Sequence, residues 1–426
     1  MVKEYSCSTC LKDFTQKSQY DRHMIRKTPC KAPKVINETI KNIIESNNSF
    51  RELSNKLNKE LSKEIRQNQG IFFTPKKARD LLFDKLDFTP TNILEPSFGS
   101  GEFIEDAIWR YPNSKITGVE FNEKIFKSYT NKNANLFHSD FMKYKSDTKF
   151  DCIIGNPPYF VIKDKNPLCM IGRPNIYVAF LYKCLELHLA DSGILAFVLP
   201  TSLYNCSYYE PMRKYIYDNC SIEFVETLDV KYYETGQDTM LIVIKKEKDS
   251  SHQYFYKNYI TPYYKELNEL VKGTTTIKEL GLFVKTGDVV WNQEKEKLSN
   301  KGTLLIYSTN IINGELVLDN INSKKQEKKQ YIKDYHKTPI SGKAILVNRG
   351  YGNATYKFNY VVVDLKEFYG ENHVNMILPK DKKDEKNLDL VKKSFDDPRT
   401  SEFIQKFVGN GAMSKTEIET ILPIFS

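Results

Sequence analysis

The chain has 426 residues, with 63 Lys and Arg against 54 Asp and Glu and a formal net charge of +9. This length allows two or three domains of ordinary size. Its composition, 40% hydrophobic with 19 Gly and 17 Pro, excludes a wholly disordered or collagen-like chain. The longest apolar stretch, near residues 193–199, is too short for a membrane-spanning helix, and the N-terminus lacks a signal core. We therefore expect an intracellular protein in a reducing compartment, cytoplasm or nucleus, with no membrane partner. The positive charge is compatible with a polyanionic partner.

The first 31 residues carry a pattern of metal-binding side chains. Cys7 and Cys10 form a Cys-x2-Cys pair, and His23 and Cys30 follow at longer spacings. The pattern resembles the ββα zinc finger with two Cys and two His, except that a Cys stands in place of the second His. It predicts a finger over residues 1–31 with one structural Zn²⁺, whose binding would supply the folding energy that so short a segment lacks. The alternative is a disordered tail that contains cysteines.

The same resemblance predicts a helix that begins near Lys17. Gln16, Gln19 and Arg22 would then occupy positions that read bases in DNA-binding fingers. A single finger buries little surface, so docking to a protein is an equal alternative. The following residues, 32–69, have Ile and Leu at steps of three and four, which predicts a helical linker.

A glycine-containing turn follows the next predicted strand. Residues 92–103, NILEPSFGSGEF, are typical of a strand, a turn with Gly99 and Gly101, and the start of a helix. The second predicted strand ends at Glu120, where a carboxylate can accept hydrogen bonds from both hydroxyls of a ribose. Together the two features predict a cofactor that contains a nucleoside.

The motif Asn156-Pro157-Pro158-Tyr159 follows the fourth predicted strand. With the segment GIFFTP at 70–75 placed before the glycine turn, the order of motifs resembles the gamma class of type II DNA adenine-N6 methyltransferases. The resemblance implies an α/β fold: a Rossmann-like domain at 70–247 that depends on S-adenosylmethionine. It also implies a C-terminal α+β target-recognition domain at 248–426.

The resemblance further assigns roles at the reacting centre. The amine of adenine is a weak nucleophile because its lone pair is delocalised into the ring. The Asn156 side-chain oxygen and the Pro157 carbonyl would accept its hydrogens and stabilise positive charge as it develops. Tyr159 would stack on the flipped base, and Tyr233, in preference to Tyr232, would pack against its edge.

The cofactor contacts are implied by the same resemblance. The 95–98 segment would line the methionine portion, Glu120 the ribose, Asp140 and Phe141 the adenine, and Pro158 the region beside the methyl group. The full predicted set is Thr74, Glu95, Pro96, Ser97, Phe98, Gly99, Gly101, Glu120, Asp140, Phe141 and Pro158.

The C-terminal half contains three further patterns. The loop at 347–360 is similar to part of the family's target-recognition domain, which makes Arg349 and Tyr351 candidate DNA contacts. The aromatic residues at 254–264 are interleaved with lysines and fit either a DNA-facing surface or a local core. Near the end, Ser414 and Glu417 predict a capping box for a helix that Pro423 would end.

The sequence therefore predicts a site-specific DNA adenine-N6 methyltransferase that acts on duplex DNA and pairs with a separate restriction endonuclease. Two alternatives are a methyltransferase for another amino group, in an RNA base or a protein glutamine, and an inactive DNA-binding subunit. The five remaining cysteines show no paired spacing and are expected to be core thiols.

Overall fold

The computed structural model describes residues 74–228, 238–248, 250–318, 321, 328–349, 357–407 and 412–425, with short pieces at 5–6, 13–14, 17–18 and 20. The predicted helical linker at 32–69 lies outside these residues. So do the predicted metal ligands Cys7, Cys10, His23 and Cys30, the finger residues Gln16, Gln19 and Arg22, the aromatic pair Tyr232 and Tyr233, and Tyr351.

Two short backbone segments pair near the N-terminus. Tyr5–Ser6 runs antiparallel to Asp13–Phe14. Residues 17, 18 and 20, which follow this pair, are helical. The described pieces therefore follow one another in the order strand, strand, helix.

The first large sheet has seven strands. They are β1 (Asn92–Glu95), β2 (Lys115–Glu120), β3 (Ala134–His138), β4 (Phe150–Gly155), β5 (Leu189–Pro200), β6 (Ser221–Leu228) and β7 (Thr239–Lys245). Their order across the sheet is β3-β2-β1-β4-β5-β7-β6. Strands β1 to β5 are parallel, whereas β7 runs antiparallel to both of its neighbours.

Helices cover both faces of this sheet. They are α1 (Lys76–Asp84), α2 (Glu102–Arg110), α3 (Glu123–Ser128), α4 (Ile176–Lys183) and α5 (Glu210–Asn219), and a π-helical turn, Cys184–His188, continues α4. Successive residues of a strand point to opposite faces. Accordingly Ile153 and Leu195 join the apolar cluster that contains α4 and α5, and Ile154 and Ala196 join the cluster that contains α1 and α2.

The order of the parallel strands creates a crevice between β1 and β4. The chain runs outward from β1 through β2 to β3 and then returns to the other side of β1 as β4. Helices therefore diverge to opposite faces at this point, and the carboxyl ends of β1 and β4 are left open between them. Ligands of open α/β sheets bind at such a switch point.

A second sheet follows in the chain. The strands are β8 (Phe255–Tyr256), β9 (Tyr259–Ile260), β10 (Thr275–Thr276), β11 (Leu282–Thr286), β12 (Leu298–Ser299), β13 (Thr303–Ile306), β14 (Ile311–Ile312), β15 (Glu315–Leu316), β16 (Tyr331–Ile332), β17 (Ile340–Asn348), β18 (Tyr360–Gly370), β19 (Val374–Pro379) and β20 (Pro423–Ile424). Seven of them form the sheet β11-β19-β17-β18-β13-β16-β12. In the described parts of this region there are four α-helices: α6 (Tyr264–Leu270), α7 (Asn387–Asp396), α8 (Pro398–Phe407) and α9 (Lys415–Thr420).

The hairpin β8–β9 decides between a DNA-facing surface and a local core for the aromatic segment at 254–264. Phe255, Tyr256 and Tyr259 are buried. Among the aromatic residues at 254–264, only Tyr263 is exposed, with 41% of its surface accessible to solvent. Arg213 of α5 is buried and donates from Nε to the carbonyl of Asn258, 2.9 Å away, in the turn of this hairpin. The aromatic segment is therefore a local core that joins the two halves of the chain.

The C-terminal helix α9 begins and ends as predicted. Ser414 and Glu417 form the capping box. The helix ends at Thr420, and Pro423 follows two residues after its C-cap, Ile421. The sequence did not predict that Pro423 also belongs to the short strand β20, where it pairs with Thr276. Among the described helices, none is long and apolar enough to cross a membrane.

Candidate active site

A cavity of about 340 Å³ lies at the carboxyl ends of β1 to β4. Each strand supplies the residues that directly follow it, so the parallel arrangement gathers four loops at one edge of the sheet. Ten of the predicted site residues line the cavity: Thr74, Pro96, Ser97, Phe98, Gly99, Glu120, Asp140, Phe141, Asn156 and Pro158. Glu95, Gly101, Pro157 and Tyr159 lie close by in the chain but do not line it.

The turn after β1 needs glycine at two positions for different reasons. Gly99 has φ +57° with open space where a Cβ would be, so only its backbone conformation favours glycine. Gly101 caps α2 with φ +91°, and a Cβ there would lie 2.4 Å from the ring of Tyr129. A buried side chain of the protein therefore already requires glycine at position 101, and the predicted contact of Gly101 with the cofactor stays a prediction.

Glu120 is held at the end of β2 by backbone donors. Its Oε2 accepts from the N–H of Gly99 at 3.0 Å, and its Oε1 accepts from the N–H of Asn122 at 2.7 Å. Burial raises the pKa of Glu120, and these backbone hydrogen bonds act in the opposite direction. Each carboxylate oxygen has a second lone pair, so the group can still accept two hydroxyls at the cavity wall.

Glu95, the last residue of β1, is buried beneath the cavity. Its Oε1 accepts from the N–H of Ser97 at 3.2 Å, and its Oε2 has no hydrogen-bond partner among the described residues. Burial raises the pKa of Glu95 well above its ordinary value, and the neighbouring carboxylates of Glu120 and Glu102 raise it further. Burial of a carboxylate oxygen without a partner is costly, which is the physical cause of this raised pKa.

Asn156 stands at the carboxyl end of β4, and its amide has two partners. Its Nδ2 donates to Thr74 Oγ1 at 3.0 Å, and its Oδ1 accepts from the Tyr159 hydroxyl. That hydroxyl also lies 2.7 Å from the carbonyl oxygen of Val198, so the two acceptors share one hydrogen. The Tyr159 ring meets Tyr177 edge to face at 5.9 Å between centroids. Thr74, which precedes α1, therefore fixes the orientation of an amide that faces the cavity.

A family model for the Eco57I restriction-modification methylases matches residues 12–233. The chain belongs to this family. The match spans the glycine turn, Glu120 and the Asn156 motif, so the cavity described above lies within the part of the methylase that defines the family.

Two relatives match nearly their whole length. The type II methyltransferase M.CvrRI of Paramecium bursaria Chlorella virus XZ-6E is 36% identical over 395 residues, which cover 88% of this chain and 99% of that protein. The modification methylase CviBIII of Paramecium bursaria Chlorella virus NC1A is 32% identical over 394 residues, with the same two coverages of 88% and 99%. Among solved structures, a putative class I S-adenosylmethionine-dependent methyltransferase from Listeria monocytogenes is similar with a TM-score of 0.37 and 17% identity. It covers 42% of this chain and 62% of its own.

Several cavity residues of the methylase were missed at the sequence level. They are Glu102, Phe103, Phe121, Asn122, Ile125, Met142, Phe160, Ile176 and Phe180. Phe121 and Phe160 directly follow Glu120 and Tyr159, so adjacency to a motif was an available signal. Asn122 caps α3 by accepting from the N–H groups of Lys124 and Ile125. Ile176 and Phe180 belong to α4, which tertiary packing brings to the cavity.

The remaining predicted contacts of the methylase are only partly described. Arg349 is exposed directly after β17, and its backbone N–H donates to the carbonyl of His373 at 2.9 Å. It does not line the cavity. Within the described ranges, no group of three or more His, Cys, Asp and Glu side chains is arranged to hold a metal ion. The predicted zinc ligands lie outside those ranges.

Proposed function

We propose that this methylase is a gamma-class DNA adenine-N6 methyltransferase that uses S-adenosylmethionine and modifies a specific site in duplex DNA. The carrying observation is that Asn156, the first residue of the Asn-Pro-Pro-Tyr motif, lines the cavity at the switch point with its amide oriented by Thr74. Its position in the chain, after the glycine turn and before a long C-terminal region, supports the gamma order. The names of the two viral relatives support a modification enzyme, which would pair with a separate restriction endonuclease.

The cavity residues fit each part of S-adenosylmethionine. Glu120 would accept the two ribose hydroxyls, and Asp140 with Phe141 would hold the adenine. The methionine portion would lie along the 95–98 segment, of which Pro96, Ser97 and Phe98 line the cavity. When bound, the cofactor supplies an electrophilic methyl group on a sulfonium sulfur, and Pro158 would lie beside it.

The target amine would be bound by acceptors of the motif. Asn156 Oδ1 accepts from Tyr159 through one lone pair and keeps a second for an N–H of adenine. The backbone carbonyl of Pro157, which is buried and rigid, would accept the other N–H. Both acceptors would draw the amine toward tetrahedral geometry and stabilise its developing positive charge. Tyr159 would stack on the flipped base, and Tyr233 would pack on its edge.

The proposal includes one structural Zn²⁺ bound by Cys7, Cys10, His23 and Cys30. The ligand spacing supports it, and so does the backbone pair Tyr5–Ser6 and Asp13–Phe14 ahead of helical residues. Metal analysis of the purified protein should find about one zinc per chain, lost in a Cys7→Ser/Cys10→Ser variant. A metal-free wild-type protein would contradict this part of the proposal.

Sequence recognition would come from the region at 248–426, with Arg349 and Tyr351 as base or backbone contacts. The finger would add contacts through Gln16, Gln19 and Arg22. Deleting residues 1–31 should weaken DNA binding and reduce the slope of log affinity against log salt. An unchanged slope would assign the finger to protein docking instead.

Transfer of labelled methyl groups tests the activity. Duplex DNA, RNA and a mixture of proteins are each incubated with the enzyme and labelled S-adenosylmethionine, and the products are digested and separated. We expect N6-methyladenine from duplex DNA alone. Label in RNA or in glutamine would support the alternative substrates, and no transfer to any of them would support an inactive DNA-binding subunit. Digestion of methylated plasmid with a panel of restriction enzymes then identifies the recognised sequence.

A further inference from the structure

A buried lysine lies behind the wall of the cofactor cavity. Lys183 is the last residue of α4 and is only 8% exposed. Its Nζ donates to three main-chain oxygens of one loop: Phe141 at 2.6 Å, Met142 at 3.0 Å and Tyr144 at 2.7 Å. An ammonium group has three N–H donors, so each one has an acceptor in this loop.

The position of Lys183 follows from the geometry of α4. Ile176, Phe180 and Lys183 are spaced by four and three residues, which places them on one face of the helix. The first two line the cavity, and Lys183 reaches the loop behind it. The chain then widens into the π-helical turn Cys184–His188, a conformation that often marks a functional position.

The loop held by Lys183 carries three cavity residues, Asp140, Phe141 and Met142. It starts after β3, where the N–H of Ser139 donates to the carbonyl of Glu120 at 3.0 Å. The Phe141 ring lies 4.8 Å from the Phe180 ring, between centroids, and 5.0 Å from the Lys183 ammonium. The loop is thus tied to β2 at its start and to α4 beyond Phe141.

Burying the Lys183 ammonium group costs more free energy than a neutral side chain would if the role were only to brace the loop. Burial lowers the pKa of Lys183, which reflects the cost of keeping its charge away from water. Charged donors form stronger hydrogen bonds to carbonyls than neutral donors do. Without the side chain, the carbonyls of Met142 and Tyr144 would lose the Lys183 donor, and that of Phe141 would keep only the N–H of Tyr144 at 3.1 Å, so the loop would rearrange to reach water.

We propose that Lys183 is a positioning residue that holds the Asp140–Phe141 wall in the conformation that binds the adenine of the cofactor. Lys183 does not line the cavity and acts on the cofactor only through this loop. The inference rests on the proposed function for the identity of the cofactor. It predicts a defect in cofactor affinity and none in the methyl-transfer step itself.

The test compares Lys183→Met with Lys149→Met. Lys149 donates to the carbonyl of Leu187, 2.6 Å away in the same π-helical turn, and this hydrogen bond does not involve the loop, so Lys149 serves as the matched control. Calorimetry with S-adenosylmethionine should show a dissociation constant raised about tenfold or more in Lys183→Met, because three charge-assisted bonds are lost. The Lys149→Met value should stay within about threefold of wild type, as expected of an exposed contact.

Steady-state kinetics gives the second readout. The KM for S-adenosylmethionine should rise with its dissociation constant in Lys183→Met, while kcat at saturating cofactor stays within about threefold of wild type. Hydrogen exchange of residues 140–144 should be faster in this variant without ligand. An unchanged dissociation constant, or a fall in kcat without a change in KM, would overturn the inference.

Folding and the proposed function are controlled separately. Circular dichroism and thermal melting report whether Lys183→Met folds. If it does not, Lys183→Gln decides, because its amide keeps two N–H donors on a chain one bond shorter. If Lys183→Gln binds the cofactor more weakly than wild type but still measurably, the result supports the inference. If it binds with the affinity of wild type, the inference is overturned. A wild-type protein that binds no S-adenosylmethionine would refute the proposed cofactor, whereas equal binding by wild type and Lys183→Met refutes only the role of Lys183.

Discussion

The hydrogen bond between Thr74 and Asn156 gives the sharpest test of the reacting centre. Thr74 is 5% exposed, and its Oγ1 accepts the Nδ2 hydrogen of Asn156 at 3.0 Å. Thr74→Val keeps the shape of the side chain and removes this acceptor. The backbone carbonyl of residue 74 still accepts from Arg79 Nη1 at 2.7 Å, so the segment should stay in place.

The expected loss of rate follows from the environment of the Asn156 amide. A buried N–H left without an acceptor costs about 1–3 kcal/mol, and the half-buried Asn156 amide, which faces the cavity, belongs at the lower end, about 1–2 kcal/mol. If the transition state bears this cost, because Asn156 is then no longer held in the orientation that accepts the target amine, kcat falls by about 5- to 30-fold. Thr74→Ser retains the hydroxyl and should stay within about threefold of wild type, since its hydrogen bond is preserved.

Single-turnover methyl transfer at saturating S-adenosylmethionine measures this effect without a contribution from cofactor affinity. Wild type, Thr74→Val and Thr74→Ser are compared on the same duplex. A Thr74→Val rate equal to wild type would refute the idea that Thr74 orients Asn156. Equal losses in Thr74→Val and Thr74→Ser would show that packing, and not the hydroxyl, is the cause.

Three further outcomes are expected. Asn156→Ala should lower the rate of methyl transfer by about 10²–10³-fold because one preorganised acceptor is lost. Its affinity for S-adenosylmethionine, measured by calorimetry, should stay within about threefold of wild type. Loss of cofactor binding would argue against the assignment of Asn156 to the target base. In urea unfolding, Gly101→Ala should cost about 2–4 kcal/mol, since its Cβ would meet Tyr129, whereas Gly99→Ala should cost about 1 kcal/mol; equal costs would contradict this. Burial lowers the pKa of His188 to about 4, so the unfolded chain binds more protons than the folded chain between pH 6.5 and 4. The free energy of unfolding should therefore fall by about 1–3 kcal/mol as the pH is lowered through that window. His188→Leu should flatten this pH dependence, and an unchanged slope would exclude His188 as its source.

Local sequence patterns predicted the order of the catalytic elements well. The glycine turn after a short strand, the acid at the end of β2 and the motif after β4 lie where the patterns put them. Each of these signals is contained within a few residues of the chain. Alternation of apolar residues marks a strand, and the residues that follow it lie at its carboxyl end whatever the rest of the chain does.

The sequence was less informative where one segment packs on another. Tyr129, from the end of a different helix, occupies the space where a Cβ of residue 101 would lie, and no local pattern predicted this second reason for glycine. Pro423 follows the end of α9 as predicted, but its pairing with Thr276 in a strand was not predicted. Proline and glycine limit the local backbone, and they do not say which distant segment occupies the space beside them.

The sequence by itself determined where the motifs lie relative to the strands, because motif spacing and residue type are local properties. The tertiary structure decided how those residues are held. Thr74 and Asn156 are 82 positions apart and share a hydrogen bond, and Lys183 supports a loop about 40 positions before it. Such pairs form because parallel strands and the helices between them bring distant segments to one edge of the sheet, and no local pattern records that arrangement.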